Sequence, residues 1–120
     1  MIDAVFRDRT EVYRIEDTVG KMCGRRSPPH LRDELRIIYE VERLDVVVYE
    51  ERPNWRDPKK WSRMGVAKFK YSRKDGKWKL FWMRSDSKWH RYEMGMPGGA
   101  KRLEELVKEV DKDPYGAFFG

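Results

Sequence analysis

The chain is poor in cysteine, in histidine and in uninterrupted apolar sequence. Cys23 is the one cysteine in 120 residues, so no disulfide can close within the chain, and a lone thiol fits a reducing compartment. The two histidines, His30 and His90, stand far apart, and no Cys-x-x-Cys, His-x-x-x-His or His-Glu-x-x-His spacing occurs. No metal or other cofactor is therefore expected. No apolar run approaches the roughly 20 residues a bilayer span needs. The opening Met-Ile-Asp-Ala-Val-Phe-Arg-Asp-Arg-Thr alternates charge where a secretory leader would carry an apolar core. A soluble, cytoplasmic protein without membrane association is the expectation. Walker spacing is also missing: Met96-Pro-Gly-Gly-Ala-Lys101 reads as a plain helix start. Ser62, Ser72, Ser85 and Ser87 lack the context of a nucleophile motif.

What the chain does have is concentrated. Between Arg52 and Arg91 lie all five tryptophans, fourteen Lys/Arg and three acidic residues. That stretch carries +11, while the other eighty residues sum to −5 against a chain total of +6. Aromatic rings interleaved with positive charge suit a nucleic-acid surface, and equally a small twisted sheet.

Read in order, the pattern is α+β: an N-terminal helix (1–24), a five-stranded antiparallel meander (33–93) and a C-terminal helix (99–113), in one domain spanning 1–120. In the first helix, Val5, Val12 and Val19, with Ile2, Phe6 and Tyr13, recur at near-heptad spacing, joined by Ile15 and Met22; Gly24 and the residues after it stop the helix. Leu35–Val41 and Leu44–Arg52 alternate as a hairpin. A four-residue turn over Glu42–Asp45 would pair Val41 with Val46 and Arg36 with Glu51 while keeping Glu42 and Asp45 from facing each other. Both faces of this hairpin carry apolar groups, so a cover on both sides is expected. Pro53 to Arg63 reads as a long loop. Asp75-Gly76 predicts a two-residue type I′ turn between Val66–Tyr71 and Lys77–Met83. That turn sets Tyr71 opposite Leu80 and Lys68 opposite Met83. Ala67, Phe69, Tyr71, Trp78, Leu80 and Trp82 then share a core face, and the lysines share the other. The last strand, Lys88–Tyr92, has two open registers. A three-residue turn sends His90 and Tyr92 inward, and a two-residue turn sends Trp89 and Arg91 inward. Ala100–Lys112 is amphipathic, and the aromatic tail from Tyr115 folds back onto the core.

Several of these stretches resemble the family of small bacterial proteins grouped as domain of unknown function 3024. They are Glu51-Arg-Pro-x-Trp55, Val66-Ala-Lys68, Trp78-Lys-Leu-Phe-Trp82, Lys88-Trp-His-x-Tyr92, and the Leu-Glu-Glu helix running into Asp113-Pro-Tyr-Gly-Ala-Phe-Phe-Gly120. Phe119 stands where the family usually shows Trp. The resemblance covers about residues 31–120. It implies a shared fold and no activity.

Two classes of function compete. In the first, nucleic acid, single-stranded or RNA in preference, binds a basic sheet face of Lys68, Lys70, Lys79, Phe81, Trp89 and Arg91. The loop residues Trp55, Arg56, Lys59, Lys60, Trp61 and Arg63 extend that surface. In the second, the protein is an interaction module or a homodimer joined through the N-terminal helix or the first hairpin. A small metal-dependent nuclease ranks third. Its support is Asp-x-Lys at Asp57, Asp75 and Asp86, and all three fall in turns.

Overall fold

Alternating apolar and polar side chains from Arg36 onward build a five-stranded antiparallel sheet in which each strand lies beside the next in the chain, β1-β2-β3-β4-β5. The computed structural model describes residues 9–120. The strands are β1 (Arg36–Glu42), β2 (Asp45–Pro53), β3 (Trp61–Ser72), β4 (Lys77–Met83) and β5 (Trp89–Arg91). One helical rod precedes them: α1 (Arg9–Ile15), a π-helical turn (Glu16–Gly20) and α2 (Lys21–Arg25), followed by a short 3-10 turn (Pro29–Leu31). The helix α3 (Leu103–Lys112) closes the chain. The expected helix start at Asp3 and the apolar positions Ile2, Val5 and Phe6 lie outside the described residues.

The two helical segments share one face of the sheet. Ile15, Val19, Met22 and Cys23 from the first rod and Leu103, Leu106, Val107 and Val110 from α3 meet Ile37, Val46, Val48, Ala67, Phe69, Trp78 and Leu80 in one core. The expected near-heptad stripe is corrected here. Val12 and Tyr13 are exposed, and the buried stripe runs from Ile15 through Val19 to Met22 and Cys23. Arg25 and Arg26 grip Asp111 of α3 at 2.9 and 3.0 Å, which ties the two helices together. Asp113 ends α3 in the left-handed region at φ 48. Its carboxylate accepts the N–H groups of Phe118 and Phe119 at 3.0 and 2.8 Å. The tail thus folds back, with Phe118 in the core and Phe119 beneath the Arg26 guanidinium.

The sheet departs from expectation at its turns. Arg36 does pair with Glu51 and Val41 with Val46, but the ladder runs on to Glu42 opposite Asp45. The turn is only Arg43-Leu44, with Arg43 at φ 55. Like charge does not open it, because Asp45 leans to Lys68 on β3 at 3.6 Å. Between β3 and β4 the two-residue turn does not form. Ser72 pairs with Lys77, Tyr71 with Trp78 and Lys68 with Phe81. Four residues, Arg73 to Gly76, make the turn, and Gly76 alone of them has positive φ. The longer turn lets Asp75 accept the Lys77 N–H and reach the Lys79 ammonium. The register has slipped by two, and because side chains alternate with period two, each residue keeps its expected face.

Two further corrections concern element limits, and one open register is resolved. β3 starts at Trp61, so Trp61 and Arg63 belong to a strand and the loop shrinks to Asn54–Lys60. β5 follows the three-residue turn: Met83 pairs with Trp89, Trp82 with His90 and Phe81 with Arg91, and Tyr92 is buried. Ala100 is an isolated bridge to Trp78, so the last helix begins at Leu103.

Candidate nucleic-acid interface

The face of the sheet opposite the helices has no helix over it among the described residues. Along it run Ile38, Glu40 and Glu42 of β1, Asp45, Val47, Tyr49 and Glu51 of β2, and Trp61, Arg63, Gly65, Lys68 and Lys70 of β3. Lys79, Phe81 and Met83 of β4 and Trp89 and Arg91 of β5 complete it. A bulge makes this set possible. Val48 pairs with Ala67 and Tyr49 with Gly65, so Val66 is an extra residue. Val66 and Ala67 both turn into the core, and Arg63 and Gly65 reach the open face. The Trp89 ring lies across Gly65, where an added Cβ would sit 2.7 Å from the indole.

The rings on this face are capped by cations. Arg36 stacks 3.6 Å from the Trp61 ring centre and Arg63 4.6 Å from Tyr49. Lys68 and Arg91 stand 5.9 Å from Trp89 and Phe81. All fall within the range of attraction between a cation and a ring. Beneath these side chains Val47 is only 3% exposed, although it points away from the helices.

Charge on the face is less one-sided than residue counting suggests. Of the eight candidate cations, four have carboxylate partners. Arg63 bonds Glu51 at 2.9 Å and Glu40 at 3.0 Å, and the Glu51 hydrogen bond holds its guanidinium pKa above the ordinary value. Lys68 meets Asp45 and Arg91 meets Glu93. Lys79 is committed to Asp75 at 2.9 Å and the Gly98 carbonyl at 3.1 Å. That bond draws the Asp75 carboxyl down to about 2. Lys70, Arg56, Lys59 and Lys60 form no ion pair among the described residues.

Three of those four, with Trp55, lie in the Asn54–Lys60 loop, which its own hydrogen bonds close. Asn54 Oδ1 accepts the N–H of Arg56 at 2.8 Å and of Asp57 at 3.4 Å. The Asn54 N–H donates to the Lys60 carbonyl at 2.7 Å, and the Lys60 N–H to the Asp57 carbonyl at 2.9 Å. Asn54 Nδ2 reaches Ser62 Oγ at 3.1 Å. This small closed ring presents Trp55 to water at 82% exposure, with the Arg56 guanidinium 4.8 Å from its ring. Lys70 and Lys79 face each other near the opposite end of β3. The twelve candidates thus divide into the loop, a capped middle and the Lys70 end.

The catalytic candidates have structural roles. Asp57, Asp75 and Asp86 each accept the N–H of the lysine two residues on, at 3.2, 3.2 and 2.9 Å. The recurring Asp-x-Lys is a turn device. His90 is held by Asp86 at 2.8 Å. Burial pushes the Cys23 thiol up to about 12, away from nucleophile chemistry. Among the described residues no three His, Cys, Asp or Glu side chains gather as a metal site, and no helix is long and apolar enough to cross a membrane.

A family model described as Domain of unknown function (DUF3024) matches residues 7–120. The chain belongs to this family. The match takes in the helical rod from Arg9 as well as the sheet and the tail, so the DUF3024 unit includes both helical covers of the core. No curated protein and no solved structure matches the chain.

Sequence reasoning missed Arg36, Tyr49, Glu40 and Glu51 as parts of this face. The expected pairing of Arg36 with Glu51 was a usable signal for two of them. Gly65, an isolated glycine within the strand, was an unused signal for the bulge at Val66 that brings Arg63 alongside Tyr49.

Proposed function

We propose that this DUF3024 protein is a non-catalytic module that binds single-stranded nucleic acid on the Trp55 loop and the adjoining ring-and-cation face of the sheet. The observation that carries the reading is Trp55, 82% exposed on a loop closed by its own hydrogen bonds. Holding a large apolar ring in water costs free energy, and a rigid loop makes the display constant, so a partner meets it already ordered. Bases stack on such rings with little regard to sequence. Arg56, Lys59 and Lys60 beside it are free to meet phosphates, and the capped rings from Trp61 to Phe81 continue the track toward Lys70.

Titration of the protein with oligo(dT), oligo(rU) and a duplex, followed by tryptophan fluorescence, tests this. Saturable quenching by single strands is expected. Its affinity should fall with salt at a logarithmic slope of about −2 to −3, since three or four neutralised phosphates release their counterions. Lys70→Glu should weaken binding more than Lys79→Glu, because Lys79 is already committed to Asp75 and Gly98. The absence of quenching by any single strand at low salt would reject the reading.

A further inference from the structure

The two edges of the sheet are finished differently. β5 is three residues long, and beyond Tyr92 the edge is taken up again by Ala100, which exchanges both backbone hydrogen bonds with Trp78 at 2.7 and 2.9 Å. β1, at the other edge, is seven residues long. Its first outward position is sealed by Ser27, whose buried Oγ accepts the Ile37 N–H at 2.7 Å and donates to the Ile37 carbonyl at 3.0 Å. Ile37 therefore points its backbone groups away from β2. In an antiparallel ladder those groups alternate, so Tyr39 and Val41 point theirs the same way. No backbone partner meets them among the described residues.

Beside this open edge lies a cavity of about 580 Å³ between β1 and the helical rod, lined by Gly20, Gly24, Ser27, Ile38 and Tyr39 among others. The rod presents two glycines there instead of side chains. A Cβ on Gly24 would meet nothing within 4 Å, so the space over it is empty. Toward its turn the edge is acidic, whereas at its start Arg36 is paired with Glu51 and the cavity lining also carries Arg32 and Asp33. Glu40 is shared with Arg63, while Glu42 and Glu16 form no ion pair among the described residues. Glu40 and Glu42 point to the open face of the sheet, and Tyr39 and the exposed Val41 to the core side.

We infer that the β1 edge receives an extended peptide segment as a sixth strand, one that alternates basic with apolar side chains. Its backbone completes the hydrogen bonds of Tyr39 and Val41, its basic residues lie across from Glu40 and Glu42, and its apolar residues continue the core side beside Tyr39 and Val41. Ser27 sets where the added strand stops, and its end passes toward the open space over Gly24, while the Tyr39 ring covers Gly20. A second copy of β1 is a poor occupant, because antiparallel self-pairing sets the Glu40 and Glu42 of one copy against those of the other. This site touches the surface proposed above through the Glu40–Arg63 pair, but its hydrogen-bonding groups belong to the β1 edge and it does not use Trp55.

The test uses the intact isotope-labelled protein and nine-residue peptides alternating Lys with Val, Thr or Leu, with Glu-for-Lys versions as controls. Amide exchange is read by NMR. The Tyr39 and Val41 amides should exchange freely alone and slow about tenfold or more at saturating Lys peptide, but not with the Glu peptides. Val41→Pro removes an outward N–H that no ladder bond uses, so the fold should survive while binding is lost. A Glu42→Lys variant should lose its preference for the Lys peptides. Three outcomes would overturn the inference. Both amides could stay fast with every Lys peptide, or Val41→Pro could leave binding intact. Protection could also grow with protein concentration in the absence of peptide, which would mean that a second copy occupies the edge.

Discussion

Phe69 and Phe81 sit on neighbouring strands of one sheet and on opposite faces of it. Phe69 is fully buried beneath the helices, whereas Phe81 is half-buried under Arg91. The helix side excludes water by interdigitation of apolar side chains. The open side does so by laying long cationic stems over flat rings, which shields Tyr49, Trp61, Phe81 and Trp89 and buries Val47 below them. The first arrangement is made of fully buried side chains in mutual contact. The second is a set of lids, each a cation laid over a ring. The difference teaches that a sheet face with no helix over it among the described residues need not be a sticky patch.

The largest expected effect breaks the comparison at its two phenylalanines. Phe69→Ala should cost about 3–5 kcal/mol in urea unfolding, the usual loss for a fully buried ring. Phe81→Ala should cost about 1–2 kcal/mol, because only part of its ring leaves water on folding. Equal costs would mean that the lids pack as tightly as the core. Gly65→Ala comes next. The new Cβ collides with the Trp89 ring and the Met83 methyl, so the indole must shift. About 1–3 kcal/mol of stability should be lost, with a change in tryptophan fluorescence. Trp55→Ala sharpens the contrast from outside both packings. Stability should move by less than about 0.5 kcal/mol, while single-strand affinity falls by about 1–3 kcal/mol.

The smallest effect is electrostatic. The Lys79 bond lowers the Asp75 carboxyl from 3.8 to about 2. A depressed folded-state value means the contribution to stability is full above the unfolded value and fades as pH drops from about 4 toward 2. Carboxyl NMR should place the Asp75 midpoint near the lower figure, and Lys79→Ala should return it toward 3.8.

Faces proved far more legible than registers. The Asp75-Gly76 turn misled by two residues, yet Tyr71, Leu80 and Phe69 still lined the core, since an even slip preserves parity. Burial of the apolar side follows from parity alone. Turn length depends on what a side chain such as that of Asp75 can reach, and local sequence does not display that reach. The loop was legible in part, because Pro53 and Pro58 interrupt the strand pattern, although Pro53 itself ends β2. Trp61 and Arg63 were misplaced because β3 gains them through pairing with β2, a non-local event. The charge of the open face was misjudged for the same reason. Glu40, Asp45 and Glu51 lie outside the basic stretch in sequence and beside it in space. The π-helical turn had no sequence signal.

That turn leaves the helical rod with slack. A π turn holds one residue more than regular helix needs for the same height and phase. Loss of one residue between Glu16 and Gly20 would let the turn relax to ordinary helix while Ile15 above it and Met22 below it keep their places on the sheet. The same loss within Lys21–Arg25 would swing everything before it by about 100° around the axis. The rod therefore tolerates a change of length at one height only, and that height is where Gly20 meets Tyr39 of the open edge. A shorter chain would keep its core and redraw the wall of the groove.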